Sequence, residues 1–181
     1  MKTLEEARTQ VMASLDEGSQ CPCCDQYARM YKRRLPPAAI KGLLGLYSLA
    51  REDGHDYYHI KDIYETSYAK DVLNIGSIFG LCAHFGLMIS EVREKDEDNL
   101  GEPVTCSGMW KITELGIDFI EGRKGIHKYI LMYNGEVLGR SETFVNIDEA
   151  LNHPFNYAEI FETSFYSQTN DNEEQWRGPR D

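Results

Sequence analysis

Apolar residues at helical spacing open the chain. Leu4, Ala7, Val11, Met12 and Leu15 fall on one stripe and predict an amphipathic helix over residues 3–16. Pro36-Pro37 marks a second helix start. Ile40, Leu43, Leu44 and Tyr47 carry its buried face to about Arg51, and Asp53-Gly54 closes it. His59 to Tyr64 predicts a short helix with Ile60 and Ile63 inward. Gly76-Ser77 caps a further helix carrying Ile78, Leu81, Cys82 and Phe85, and Gly86 stands where a helix C-terminal glycine belongs. Leu87 to Val92 alternates as a strand, and Met109 to Ile112 resumes as another. Residues 93–108 between them read as a polar loop. Thr113 then caps a helix bearing Phe119 and Ile120 that ends before Gly122.

Beyond that point Tyr129–Tyr133 and Glu136–Arg140 flank Asn134-Gly135, the strongest short hairpin signal in the chain. Residues 146–151 and 156–161 read as short helices, and from about Ser164 the polar composition predicts a disordered tail. The expected organisation is an N-terminal helix, cysteine cluster and basic segment over 1–35, a central domain over 36–124, a hairpin with short helices over 125–163, and an acidic tail over 164–181. The fold class is α+β.

Composition narrows the partners. The 181 residues are 41% hydrophobic, enough for a real core, and the formal net charge is -11. That balance argues against a general nucleic-acid coat, since phosphate contacts supply most non-specific affinity. A local basic face can still act inside an acidic whole. No run approaches the roughly 18 apolar residues of a membrane span. The charged start, Met-Lys-Thr-Leu-Glu-Glu-Ala-Arg, lacks the apolar stretch of a signal peptide, so a cytoplasmic location is expected.

The central order of helix, short helix, helix, strand, polar loop, strand, helix resembles a winged helix-turn-helix domain. His84-Phe-Gly-Leu-Met-Ile-Ser is similar to the exit from a recognition helix in bacterial winged-helix regulators. Gly108-Met-Trp-Lys-Ile-Thr-Glu-Leu-Gly116-Ile-Asp-Phe-Ile-Glu-Gly122 resembles a second wing strand running into a closing helix, as in MarR-like domains. The likeness covers residues 36–122 and implies a winged-helix core. The CPxC-type start and the Tyr-Asn-Gly-Glu-Val-Leu-Gly hairpin also resemble phage and prophage proteins. The resemblance implies a non-catalytic DNA-binding regulator or accessory protein, phage-encoded and acting in the host cytoplasm, whose third helix enters a major groove about 12 Å wide. One departure stands out: residues 76–86 contain no Arg, Lys, Asn or Gln, leaving Ser77 and His84, or the upstream Lys70 and Asn74, to face base edges.

Three features carry candidate chemistry. Cys21 and Cys24 have the C-x-x-C spacing with which two thiolates grip one tetrahedral zinc, and Pro22 stiffens the turn between them. Cys23, Cys82, Cys106, His55, His59 or a second subunit are the candidates to complete the site; unliganded thiols are the competing reading. Arg29, Lys32, Arg33 and Arg34, with Lys41 nearby and Tyr27 and Tyr31 interleaved, form the candidate phosphate contact; the competing reading is a solvated helix face. Glu94, Asp96, Glu97 and Asp98 form an acidic wing that repels phosphate. It fits instead the basic groove of a nucleic-acid-handling protein, an alternative in which the molecule is an interaction module or inhibitor. His55, His59 and His84 form no recognisable catalytic set, and neither a G-x-S-x-G, a P-loop nor an H-E-x-x-H occurs, so no enzyme is expected. Gly42-Leu-Leu-Gly45 sits in an apolar helical pattern and reads as a close-packing site. A homodimer through the first helix or the hairpin is compatible with either function.

Overall fold

A computed structural model describes residues 3–72, 75–93 and 104–158, which divide into two compact units. Unit 1 joins residues 1–35 to 126–145, and unit 2 joins 36–125 to the segment from Asn146 onward. One boundary between the units lies at Leu35/Pro36. The hairpin, expected as part of a separate C-terminal segment, instead belongs with the N-terminal segment, because a strand from each side pairs in one sheet.

Unit 1 begins with helix α1 (Leu4–Ala13), held at its start by a capping box. The Thr3 amide donates to Glu6 at 2.9 Å, and the Glu6 amide donates to Thr3 Oγ1 at 3.3 Å. Strands β1 (Ser19–Gln20) and β2 (Tyr27–Ala28) pair antiparallel around the cysteine loop. The basic stretch is strand rather than helix: β3 (Tyr31–Arg33) pairs with β8 (Ile130–Tyr133), which pairs with β9 (Glu136–Arg140). The register runs Tyr31↔Met132, Lys32↔Leu131 and Arg33↔Ile130. Asn134 and Gly135, at φ 50° and 82°, make the tight turn that their sequence predicts. Strands β7 (Ile126–His127) and β10 (Phe144–Val145) close the unit, aided by buried Ser141, whose hydroxyl donates to the Thr143 carbonyl at 2.6 Å. Val11, Leu15 and Ala28 form its small core with Met30 and Tyr133 packed against it. Of the predicted α1 stripe, Ala7, Val11 and Leu15 are buried, but Leu4 is 81% exposed and Met12 45% exposed.

Unit 2 carries the larger core. Helix α2 (Pro37–Glu52) starts with proline in its first turn and buries Ile40, Leu43 and Leu46 completely. It is followed by β4 (Tyr58–His59), α3 (Ile60–Glu65), α4 (Ile75–His84), β5 (Met88–Arg93), β6 (Val104–Ile112) and α5 (Glu114–Ile120). The three strands form one antiparallel sheet in the order β4-β6-β5. β6 begins at Val104, inside the span expected as loop. Phe79 on α4 meets Trp110 on β6 edge to face, with ring centroids 5.3 Å apart. Thr113 caps α5 as expected, accepting from the Gly116 amide at 3.0 Å while its hydroxyl donates to the Gly86 carbonyl at 2.6 Å. Helix α6 (Ile147–Leu151) has a second capping box, between Asn146 and Glu149. The molecule is thus mixed α and β. No described helix is long and apolar enough to cross a membrane.

Candidate nucleic-acid interface

The two units differ sharply in charge. Residues 1–35 and 126–145 hold eight Lys or Arg against seven Asp or Glu, a net +1, so the rest of the chain carries -12 of the overall -11. Arg29, Lys32, Arg33 and Arg34 are all exposed, on and beside a strand that, among the described residues, pairs only with β8. The ion pairs of Lys111 with Asp56, and of Arg123 and Lys124 with Asp118 and Glu121, involve none of them. Among the described residues no carboxylate forms an ion pair with these four cations.

Tyrosines organise this face. The Lys32 ammonium lies 5.1 Å from the centre of the Tyr129 ring, and the Arg33 guanidinium 5.8 Å from that of Tyr31. Arg29, Lys32, Tyr31 and Tyr129 line one shallow hollow with Asp16, Met30 and Leu131. Tyr27 and Tyr31 are themselves more than half exposed, at 57% and 51%. Exposed aromatic rings beside unpaired cations suit a phosphate backbone and its bases. Lys and Arg on an edge strand also guard it against pairing with another chain, the competing role for the same residues.

The remaining predicted residues lie elsewhere. Lys41 is exposed on α2, in unit 2. Ser77 is exposed near the start of α4 and His84 is half-buried at its end, while Phe79 and Cys82 point into the core. The basic strand and α4 therefore belong to different units. Glu94, Asp96, Glu97 and Asp98, most of the 156–161 helix and the acidic tail lie outside the described residues. His59 accepts from the Lys61 amide at 3.1 Å as the cap of α3, and the His55 ring meets Tyr58 edge on. Gly42 is a close-packing site, since a Cβ there would stand 2.5 Å from Phe79 Cε1.

The cysteines occupy the β1–β2 loop. The Cys21 amide donates to the Gln26 carbonyl at 2.8 Å, and the Asp25 amide to the Cys21 carbonyl at 2.9 Å. Asp25 adopts φ 57°, which turns the chain back into β2. Inside this loop the Cys23 and Cys24 amides and the Cys24 thiol all hydrogen-bond to the Cys21 sulfur, pulling its pKa below the ordinary thiol value. Cys23 is exposed. Cys82 is buried in unit 2, where desolvation pushes its thiol up to about 12. Among the described residues no three His, Cys, Asp or Glu side chains gather as a metal site.

The sequence did not reveal the loop's hydrogen bonds or the strand character of the basic segment. Compared with protein-family models, curated proteins and solved structures, the chain matches none.

Proposed function

We propose that this protein is a non-catalytic DNA-binding regulator or accessory factor whose phosphate contacts come from the β3 edge of unit 1. The observation that carries this reading is the group of four exposed cations, Arg29, Lys32, Arg33 and Arg34, without carboxylate partners among the described residues. Such a group is ready to displace condensed counterions from a duplex. Unit 2 supports a winged-helix reading through its element order, α2-β4-α3-α4-β5-β6, and its sheet order, β4-β6-β5. In that reading Ser77 and His84 on α4 offer the polar atoms for a groove, and Lys41 an additional phosphate contact.

The test is fluorescence anisotropy with mixed-sequence duplex DNA, titrated from low to physiological salt. Saturable binding that weakens with salt is expected. Absence of binding at low salt would refute the reading. The -12 concentrated outside unit 1 favours the alternative, an acidic module that docks on a nucleic-acid-handling protein. That alternative predicts capture of a basic protein partner without DNA, lost when Glu94, Asp96, Glu97 and Asp98 are neutralised.

A further inference from the structure

We propose that two copies of this chain share one zinc ion, each supplying Cys21 and Cys24, and that the face around this pair is the interface between them. The inference uses the cysteine loop, which the DNA reading leaves without a role, although Tyr27, Arg29 and Tyr31 belong to both faces.

Three observations converge on it. First, the loop already has the form that a zinc-binding pair requires. Its backbone turns back at Asp25, the Cys21 amide donates to the Gln26 carbonyl at 2.8 Å, the Asp25 amide donates to the Cys21 carbonyl at 2.9 Å, and both Cys21 and Cys24 line one groove. Secondly, the pair is half of a site. Structural zinc takes four ligands in a tetrahedron, and no third ligand joins this pair among the described residues. A second identical pair related by a two-fold axis supplies the missing two.

Thirdly, the surroundings suit a second copy. Cys21 and Cys24 line a groove of about 530 Å³ in unit 1. Leu4, Met12, Tyr27, Tyr31 and Leu138 line the same groove, and these are five of the seven large exposed hydrophobic residues in the described structure. An apolar surface gathered in this way marks an interaction site. The charged side chains of the groove are Arg8, Arg29 and Glu136, a net +1 per copy. Four thiols binding one Zn²⁺ release four protons and leave a complex of charge -2, which the two +1 faces offset.

The experiment uses the full chain, reduced with a phosphine and kept anaerobic. Zinc is titrated against a chromophoric chelator, and mass is followed by native mass spectrometry and sedimentation. The expected result is one zinc per two chains, a doubling of mass on zinc addition, and return to monomer with excess chelator. Cobalt(II) in place of zinc should give the visible bands of a tetrahedral tetrathiolate. C21S and C24S should each abolish metal binding and dimerisation, whereas C23S should keep both. One zinc per monomeric chain would overturn the proposal, as would zinc binding no tighter than that of C21S, or a dimer indifferent to chelator. Loss of metal in C23S would overturn the assignment of the ligand pair. DNA binding by the C21S monomer, with the basic strand intact, separates failure of this proposal from failure of the DNA reading.

Discussion

Replacing Lys32, Arg33 and Arg34 together with glutamine removes charge from β3 and its exit while leaving Arg29, which also lines the cysteine groove. All three side chains are exposed, so each exchange should change stability by no more than about 0.5 kcal/mol. Lys32 is the exception, since it also gives up its position over Tyr129, a loss of about 0.5–1 kcal/mol. The fold should therefore survive. Each duplex phosphate neutralised contributes about 0.9 to the slope of log affinity against log salt, so three contacts contribute about 2.7. Over a fourfold rise in salt, the intact protein should lose about 40-fold in affinity through these three residues alone. The triple variant should bind more weakly at low salt and lose correspondingly less as salt rises. Anisotropy titrations at four or more salt concentrations measure both slopes. An unchanged affinity and slope in the folded variant would show that this strand does not meet the phosphates.

Three further outcomes follow from the packing and the loop. Gly116→Ala places a methyl group against the Leu87 carbonyl oxygen and 2.8 Å from Ile112 Cγ1, so urea unfolding should show a loss of about 1–3 kcal/mol; a neutral result would mean that α5 shifts freely over β5. Asn146→Ala removes the acceptor that holds the Glu149 amide at 2.9 Å and should cost about 1 kcal/mol in the same assay. Because the Cys21 pKa is lowered, its reactive thiolate is present at a lower pH than in an ordinary cysteine. Iodoacetamide should therefore modify Cys21 in the native protein, whereas Cys82, buried with a pKa of about 12, should react only after unfolding; peptide mapping distinguishes the two.

Local signals in this chain were legible and distant pairings were not. Pro36-Pro37, Thr113 and Asn134-Gly135 mark elements through the geometry of neighbouring residues, and the structure has a helix start, a cap and a turn at those positions. The pairing of Tyr31–Arg33 with Ile130–Tyr133 joins segments about a hundred residues apart. A three-residue strand with every side chain exposed has no alternation to reveal it. The α1 stripe showed which face is apolar but not how much of it another element covers, and so Leu4 and Met12 were expected inside. The basic residues were legible as a cluster, and their freedom from described carboxylates required the fold. The cysteine spacing was legible as a C-x-x-C motif, while the hydrogen bonds that close its loop depend on the backbone turn at Asp25.

The most direct test of the central claim locates the DNA on the protein. Amide chemical shifts of the isotope-labelled full chain should be followed as a short duplex is added at low salt. The account predicts fast, salt-sensitive shifts centred on Arg29 to Arg34 and on their β8 partners Ile130 to Met132. Shifts confined to unit 2, or none at a saturating duplex concentration, would contradict it.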